Sequence, residues 1–344
     1  MKLYPDLTLN PKHAISLVVE QIRKALSPCT VLSNTPIIVP ITDNYDNLGY
    51  GLEDVCRSPR YAHYVPETTN MYRTQMTSQI PSLLRPGLKE DIYLIPGIVY
   101  RRDVTDRYHV PAPHQMDIWA LSKSYTYTEL DLRELIAKVL TSILPGCDYR
   151  VTPTNHPYTD HGLEVEVKYD GRYVEVLECG MAGSAILKQH GKEDYTGLAM
   201  GMGLDRIVML LKGLPDIRLL RAESAAEQME NLDQYIPQSK EPVIRRDMSI
   251  AMTKGTEIED ICSLLEEVDQ EALIQDVSLL SKTSYEEIHP NALARLGMLK
   301  GQENYLLRIT LQSLDRTLRS SEAHALYQAA YKKLHQGTNW VYME

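Results

Sequence analysis

The chain has 344 residues, more than one domain usually holds, and suits two, each with its own core. Its apolar share of 43% and charged share of 24% are those of an ordinary folded protein, which excludes disordered and fibrous classes. A formal net charge of -10 offers a polyanion no long-range attraction, so any nucleic-acid contact has to rest on a local basic surface.

The N-terminal MKLYPDLTLNPKH has no apolar run behind a basic cluster, and no segment has the uninterrupted apolar length of a membrane span, which reads as a cytosolic protein. Asn10 and Pro11 form a cap and first-turn pair, and Ile15, Val18, Val19, Ile22 and Leu26 then recur at helical spacing. Residues 91–103 predict a strand broken at Pro96-Gly97. A proline-containing loop follows, and 114–121 predict the returning strand of a long-tipped hairpin. Residues 163–180 carry two alternating runs around Asp170-Gly171, a type I′ turn signal. A two-residue loop pairs Tyr169 with Arg172, Val167 with Val174 and Glu166 with Glu175, and leaves Glu164 on the face of both glutamates. Two like charges held opposite each other call for a cation between them.

Residues 197–215 read as a glycine-rich strand entering a helix that stops at Gly213 and Pro215, and the polar 222–240 reads as a connection. The remainder predicts the order β-α-β-β-α-β of a ferredoxin-like domain, with a last short strand near Trp340. Five scattered cysteines without CxxC spacing predict neither a disulfide framework nor a zinc site.

Three features point together to adenylation: Arg101 on the first hairpin, the carboxylates Glu164, Glu166 and Glu175 on the second, and Arg206 in the first turn after the glycine-rich strand. Arginines bind phosphate or carboxylate bidentately, and carboxylates hold magnesium on a nucleotide. Each feature alone has a bland reading as a solvated strand residue, an exposed edge or a common glycine strand.

In this order the stretches GIVYRRDVTDRYHVPAPHQMD (97–117), HPYTDHGLEVEVKYDGRYVEVLECGM (156–181) and GLAMGMGLDRIVMLLKGLPDIRLL (197–220) resemble class II aminoacyl-tRNA synthetases, and among them the single-chain, mitochondrial-type phenylalanyl enzymes. Residues 239–250 and 314–322 resemble the ferredoxin-fold anticodon-binding domain of that family. The resemblance implies an α+β fold: a catalytic domain (1–225) built on an antiparallel sheet flanked by helices, a linker (226–238) and an anticodon-binding domain (239–344). It implies ATP and Mg2+ as cofactors, phenylalanine and tRNA(Phe) as substrates, no editing activity, and a monomer or homodimer.

The resemblance also implies roles. Arg101 contacts the ATP α-phosphate and the amino-acid carboxylate, Arg206 binds the γ-phosphate and adenine, and His109 lies near the reacting phosphates. Gln115, Asp117, Thr77 and Ser78 hold the substrate ammonium group. His156, Tyr158 and Ala199 line the side-chain pocket, Pro113 supports adenine, Glu164 and Glu175 face the nucleotide, and Glu166 and Glu175 hold its magnesium.

The chain departs from the family where aromatic side chains are usual. His156-Pro157-Tyr158 replaces a Phe-Pro-Phe run, Pro113, Leu198, Met200, Leu220 and Glu241 stand at other such positions, and Glu178 replaces a glycine. The sequence has 22 Tyr and 13 Met but no Phe, which selection or deliberate editing explains better than chance. A more polar ring pocket suits a paralogue activating another aromatic or polar amino acid. From Lys240 to Glu344 twelve Lys and Arg stand against sixteen Asp and Glu, which favours a third reading, a non-catalytic regulatory relative with weakened tRNA binding.

Overall fold

The computed structural model describes residues 3–85, 87–102, 106–236, 243–314 and 316–340. Twelve strands are present among them: β1 (Thr30–Val31), β2 (Ile38–Pro40), β3 (Asn70–Tyr72), β4 (Asp91–Ile98), β5 (His114–Ser122), β6 (Tyr149–Pro153), β7 (Thr159–Tyr169), β8 (Arg172–Ala182), β9 (Thr196–Gly203), β10 (Ile244–Thr253), β11 (Ile274–Ser284) and β12 (Gln302–Leu311). The longer helices are α1 (Ala14–Leu26), α2 (Glu129–Ile143), α3 (Leu204–Lys212), α4 (Ile258–Glu266), α5 (Pro290–Leu296) and α6 (Ser320–Leu334).

Seven strands form one sheet in the order β1-β4-β5-β9-β8-β7-β6, antiparallel except for β1 against β4. Strand alternation assigns its two faces different work. Met116, Ile118, Ala120, Leu198, Met200, Met202, Val165 and Val167 point to one side and pack with α1, α2 and α3 into the main core. The opposite side carries Gln115, Asp117, Trp119, Gly201, Ala199 and the β8 glutamates, and that side holds the chemistry. Periodic Ile15, Val18, Val19, Ile22 and Leu26 all lie buried on α1, as the helical spacing predicts. Strand β4 runs unbroken through Pro96 and Gly97. The expected break is absent because β1 covers that edge only at Tyr93 and Leu94, so Pro96 lies past its end, where a missing N–H leaves no ladder bond unmade.

The predicted turn and register of the second hairpin are present as far as Glu166. Asp170 and Gly171 both have positive φ, and the pairs Tyr169/Arg172, Val167/Val174 and Glu166/Glu175 face each other. Past that point the register shifts, because Val165 pairs with Leu177 and leaves Val176 as an extra residue. Both Val176 and Leu177 are buried, and the bulge turns Glu178 to the chemical face, opposite Glu164.

The C-terminal sheet has three antiparallel strands in the order β10-β12-β11, with α4 and α6 covering one face, where Met248, Ile250, Leu307 and Ile309 share a core with Tyr331 of α6. Its element order is β-α-β-α-β-α, where α5 is an addition to the expected pattern. No strand is assigned up to Trp340, and residues 341–344, where the expected last strand would continue, lie outside the described residues. The start of this half at 239 and Glu241 also lie outside them. The 222–236 connection is packed rather than loose: Met229 is buried, and the Lys212 ammonium donates to the Asn231 and Asp233 carbonyls at 3.0 and 2.6 Å.

Two arginines join the halves. Arg218, buried and paired with Asp216 at 2.7 Å, donates to the Ala272 and Ile274 carbonyls at 2.9 and 2.8 Å. Arg60 donates to the Gly255 carbonyl at 3.1 Å and lies 3.6 Å from Glu257.

Candidate active site

Across the chemical face of the large sheet, cross-strand pairing sets up three parallel rows. One runs Gln115–Gly203, with Glu175 on the β8 side. The next runs Asp117–Gly201–Glu178–Glu164, and the third Trp119–Ala199–Gly180. The β9 residues in the middle have little or no side chain, so the rows enclose a trench with Gln115 and Asp117 on one wall and Glu175 and Glu178 on the other. A Cβ on Gly201 would stand 3.4 Å from the Asp117 carboxylate and narrow the trench at its centre.

Asp117 is 3% exposed and makes no ion pair among the described residues. Burial pushes its carboxyl up to about 7, Thr77 and Trp119 relieve this in part, and the Glu178 charge adds to it. A buried acid in that state is relieved by an incoming cation. Thr77 and Ser78 are buried beside it, and Ser78 is held by its Oγ donating to the Gln75 carbonyl at 2.8 Å. Gln115 is oriented by the Met76 N–H, which its Oε1 accepts at 3.3 Å.

At the apolar end, Ala199 is fully buried in the floor and Tyr158 is 8% exposed. The Tyr158 ring stacks on His156 at 5.7 Å and lies 6.4 Å from Tyr50, and burial pushes its hydroxyl well above the usual phenol range. His156 Nε2 lies 3.0 Å from the Glu178 carboxylate. The wall of the trench is therefore a ring stack ending in a polar pair.

At the other end, Arg206 enters from the first turn of α3. Its Nη1 donates to the Glu175 carbonyl at 3.0 Å and lies 3.7 Å from the Glu175 carboxylate. His109 bridges the loop to the helix: the tautomer with its hydrogen on Nδ1 donates to Asp106 at 2.9 Å and leaves Nε2 to accept from Arg206 at 3.4 Å. Burial, then the Glu178 charge, push the Glu175 carboxyl up, and Arg206 and Arg101 oppose them. Arg101 is fixed by its Nε donating to the Thr74 carbonyl at 2.6 Å, and makes no ion pair among the described residues.

A buried cluster under the trench sets these arginines. Asp205, next to Arg206, accepts from the His114 backbone N–H and lies 3.0 Å from His114 Nδ1 and 3.3 Å from Arg221. His114 Nε2 in turn accepts from the Leu7 N–H at 3.0 Å. Burial alone would raise the Asp205 carboxyl, but His114 and Arg221 outweigh it and hold it below the usual range. The N-terminus of α3 is thus pinned to β5 and to the chain's first turn. Pro113, between that cluster and the hairpin tip, is half-buried, and its carbonyl accepts from the Val99 N–H at 2.9 Å.

Most of the residues singled out in the sequence converge on this trench, with one correction. Glu166 is engaged by Arg150 through two bonds of 2.5 and 2.9 Å, so the cation that neutralises it is a protein arginine on β6. It leaves the candidate metal set, and Glu178 takes its place among the trench carboxylates. The signal for Glu178 was the apolar doublet Val176-Leu177, which breaks the alternation. Among the described residues no group of three or more His, Cys, Asp or Glu forms a ready cation site. The carboxylates fit a cation that arrives on phosphates, since Glu164, Glu175 and Glu178 share one face and Glu175 is already destabilised as an anion.

The family model described as tRNA synthetases class II core domain (F) matches residues 5–230. The chain belongs to the class II tRNA synthetases. Among relatives of this class II synthetase, the phenylalanine--tRNA ligase, chloroplastic/mitochondrial, of Arabidopsis thaliana is 27% identical over 84% of this chain and 67% of its own. The phenylalanine--tRNA ligase, mitochondrial, of Mus musculus is 25% identical over 87% of this chain and 72% of its own. A crystal structure of pyrrolysyl-tRNA synthetase from Desulfitobacterium hafniense has the same fold, with a TM-score of 0.51 and 15% identity over 64% of this chain and 77% of that one.

These relatives overturn the cytosolic reading of the N-terminus. Those spanning most of the chain are named as proteins of mitochondria, or of chloroplasts and mitochondria, a placement that the residues MKLYPDLTLNPKH do not report. No helix among the described residues is long and apolar enough to cross a membrane.

Proposed function

We propose that this class II synthetase activates phenylalanine with ATP and transfers it to tRNA(Phe) through an aminoacyl-adenylate. The observation that carries the reading is Asp117, a buried acid pushed up to about 7 with no ion pair among the described residues, at the head of a trench that ends in an arginine. Such a group binds an ammonium ion by giving up its proton and its strain together. Its location beside Thr77, Ser78 and Gln115 fits the amino group of an amino acid.

In this reading the substrate lies along β9. Asp117, Gln115, Thr77 and Ser78 hold its ammonium group, and Ala199, Tyr158 and His156 receive its ring. The carboxylate points to Arg101, which also takes the α-phosphate, while Arg206 and His109 bind the outer phosphates and Arg206 and Pro113 flank adenine. The carboxylate oxygen then attacks the α-phosphorus in line, and the enzyme supplies position and charge with no covalent intermediate of its own. Glu175 with Glu164 or Glu178 would hold magnesium, which would supply neutralisation of the phosphate charge. A terminal tRNA hydroxyl attacks the adenylate in the second step. Residues 1–225 form the catalytic domain, 226–238 the linker and 239–344 the anticodon-binding domain.

Charging of tRNA(Phe) with radiolabelled phenylalanine tests the proposal: acid-precipitable Phe-tRNA supports it, and its absence at saturating ATP refutes it. A second reading, activation of a different aromatic or polar amino acid, is favoured by the His156–Glu178 pair in the trench wall. Charging bulk tRNA with each amino acid in turn separates the two.

A further inference from the structure

Asp117 has few neighbours that help it ionise. Across the strands it is flanked by Ile95 of β4 and Gly201 of β9, and neither offers a polar side chain. The titratable groups that face it from other elements are Glu178 of β8, one strand beyond Gly201 and paired with His156, and the Tyr158 phenol, whose ring lies 6.4 Å from that of Tyr50. Glu178 disfavours a second negative charge, and the Thr77 hydroxyl favours it. Along β5, on the same face, its neighbours are Gln115 and Trp119, each about 7 Å away between Cα atoms. Gln115 is held through its Oε1 by the Met76 N–H at 3.3 Å.

Trp119 is the exception to the apolar packing around it. Its ring is fully buried among Met76, Ile80, Tyr158 and Ala199, and its cross-strand partners are Tyr93 and Ala199. The Tyr93 hydroxyl donates to the Lys89 carbonyl at 2.9 Å. The indole Nε1 makes no hydrogen bond among the described residues, yet it lies close enough to the Asp117 carboxyl to favour its charged form. A buried N–H without an acceptor is costly, and an apolar ring at this place would avoid that cost.

Building on the reading of Asp117 as the ammonium site, we infer that Trp119 is a positioning residue whose indole N–H closes onto the Asp117 carboxylate when that acid ionises to receive the substrate ammonium. With Asp117 protonated, the contact stays loose. Loss of the proton to solvent turns it into a charge-assisted hydrogen bond, which fixes one carboxylate oxygen and leaves the other for the ammonium group.

The chain has two Trp, and Trp340 lies half-exposed in the C-terminal half, so Trp340→Phe isolates the emission of Trp119. Excitation moves electron density from the pyrrole to the benzene ring of indole, and a carboxylate at the N–H therefore shifts emission to the red. Emission of the free protein should move red as pH rises through about 7 and stay fixed when Asp117→Asn is added. In phenylalanine-dependent ATP–pyrophosphate exchange, Trp119→Phe should raise the KM for the amino acid about tenfold at neutral pH and leave kcat within about threefold. Its fall of KM with pH should move up by about one unit, and the gap to wild type should close above that. An emission titration that persists with Asp117→Asn overturns the inference, as does a wild-type KM profile in Trp119→Phe. A KM raised equally at every pH also overturns it, because the ring then only fills space. Should Trp119→Phe not fold, the emission titration decides alone. A wild type that exchanges with no amino acid sinks the activation reading, while the emission titration still decides whether Trp119 answers the ionised Asp117.

Discussion

Asp117 carries the sharpest consequences at the scale of single residues. Burial raises its folded-state pKa to about 7 from an unfolded value near 3.8, so the unfolded chain gives up this proton first. Ionising the carboxyl therefore destabilises the free protein progressively from about pH 4 to pH 7, by up to roughly 4 kcal/mol if nothing else responds. Thermal melts of Asp117→Asn should show that part of the pH dependence gone, with a melting temperature equal to or above wild type at pH 8. Only the ionised acid holds an ammonium group, so the KM for the amino acid should fall as pH rises through 7 in wild type and stay high and flat in Asp117→Asn. A wild-type KM independent of pH between 6 and 8 would remove Asp117 from the ammonium site.

The bulge in β8 is the element on which the site turns. Without it Glu178 would point into the core, and with it Glu164, Glu175 and Glu178 share the trench face while Glu166 sits on Arg150. The two opposed glutamates should accordingly behave differently. Glu175→Gln removes a strained anion and should leave thermal stability equal or slightly higher while lowering pyrophosphate exchange about tenfold or more. Glu166→Gln weakens a two-bond pair with the half-exposed Arg150 and should lower stability by at most about 1 kcal/mol while leaving exchange unchanged. Equal losses of exchange in both would restore Glu166 to the metal set. The turn at Asp170-Gly171 and three pairs beyond it were legible because turn chemistry and alternation set the register from a fixed origin. The bulge was not read, since a single extra residue is chosen by packing of Val176 and Leu177 against the helices, a property of the assembled core. A second element-level consequence concerns α3, pinned through Asp205 to His114. His114→Ala should destabilise the fold by about 2–4 kcal/mol, as a buried carboxylate loses its partner, and in the surviving folded fraction should raise the KM for ATP through Arg206.

Across the whole molecule, charge is the feature that composition made plain and that folding redistributes. The net charge of -10 stands, yet Arg101 and Arg206 both bear on Glu175 at one end of the trench, so the cations available to a polyanion there are local. Binding of tRNA should therefore depend only weakly on salt, with a slope of log affinity against log salt shallower than about -3, measured by filter binding. A steep slope would require a basic surface that the chain's balance does not suggest. The strands of the two sheets were legible from local period and turn residues, whereas most trench residues were legible only through the resemblance of their motifs to the family. The docking of the halves through Arg218 and Arg60 was not, because backbone carbonyls such as those of Ala272 and Gly255 have no signature in side-chain sequence. The absence of Phe has no counterpart in a disrupted core: Trp119, Tyr45, Tyr100 and Tyr305 are among the largest fully buried side chains, and Leu198, Met200 and Leu220 fill the main cluster. The central claim, that the trench headed by Asp117 activates an amino acid, is tested most directly by ATP–pyrophosphate exchange against a panel of the twenty amino acids. Exchange stimulated by phenylalanine in the wild type and lost in Asp117→Asn is the predicted result; a folded wild type that exchanges with none of the twenty would contradict it.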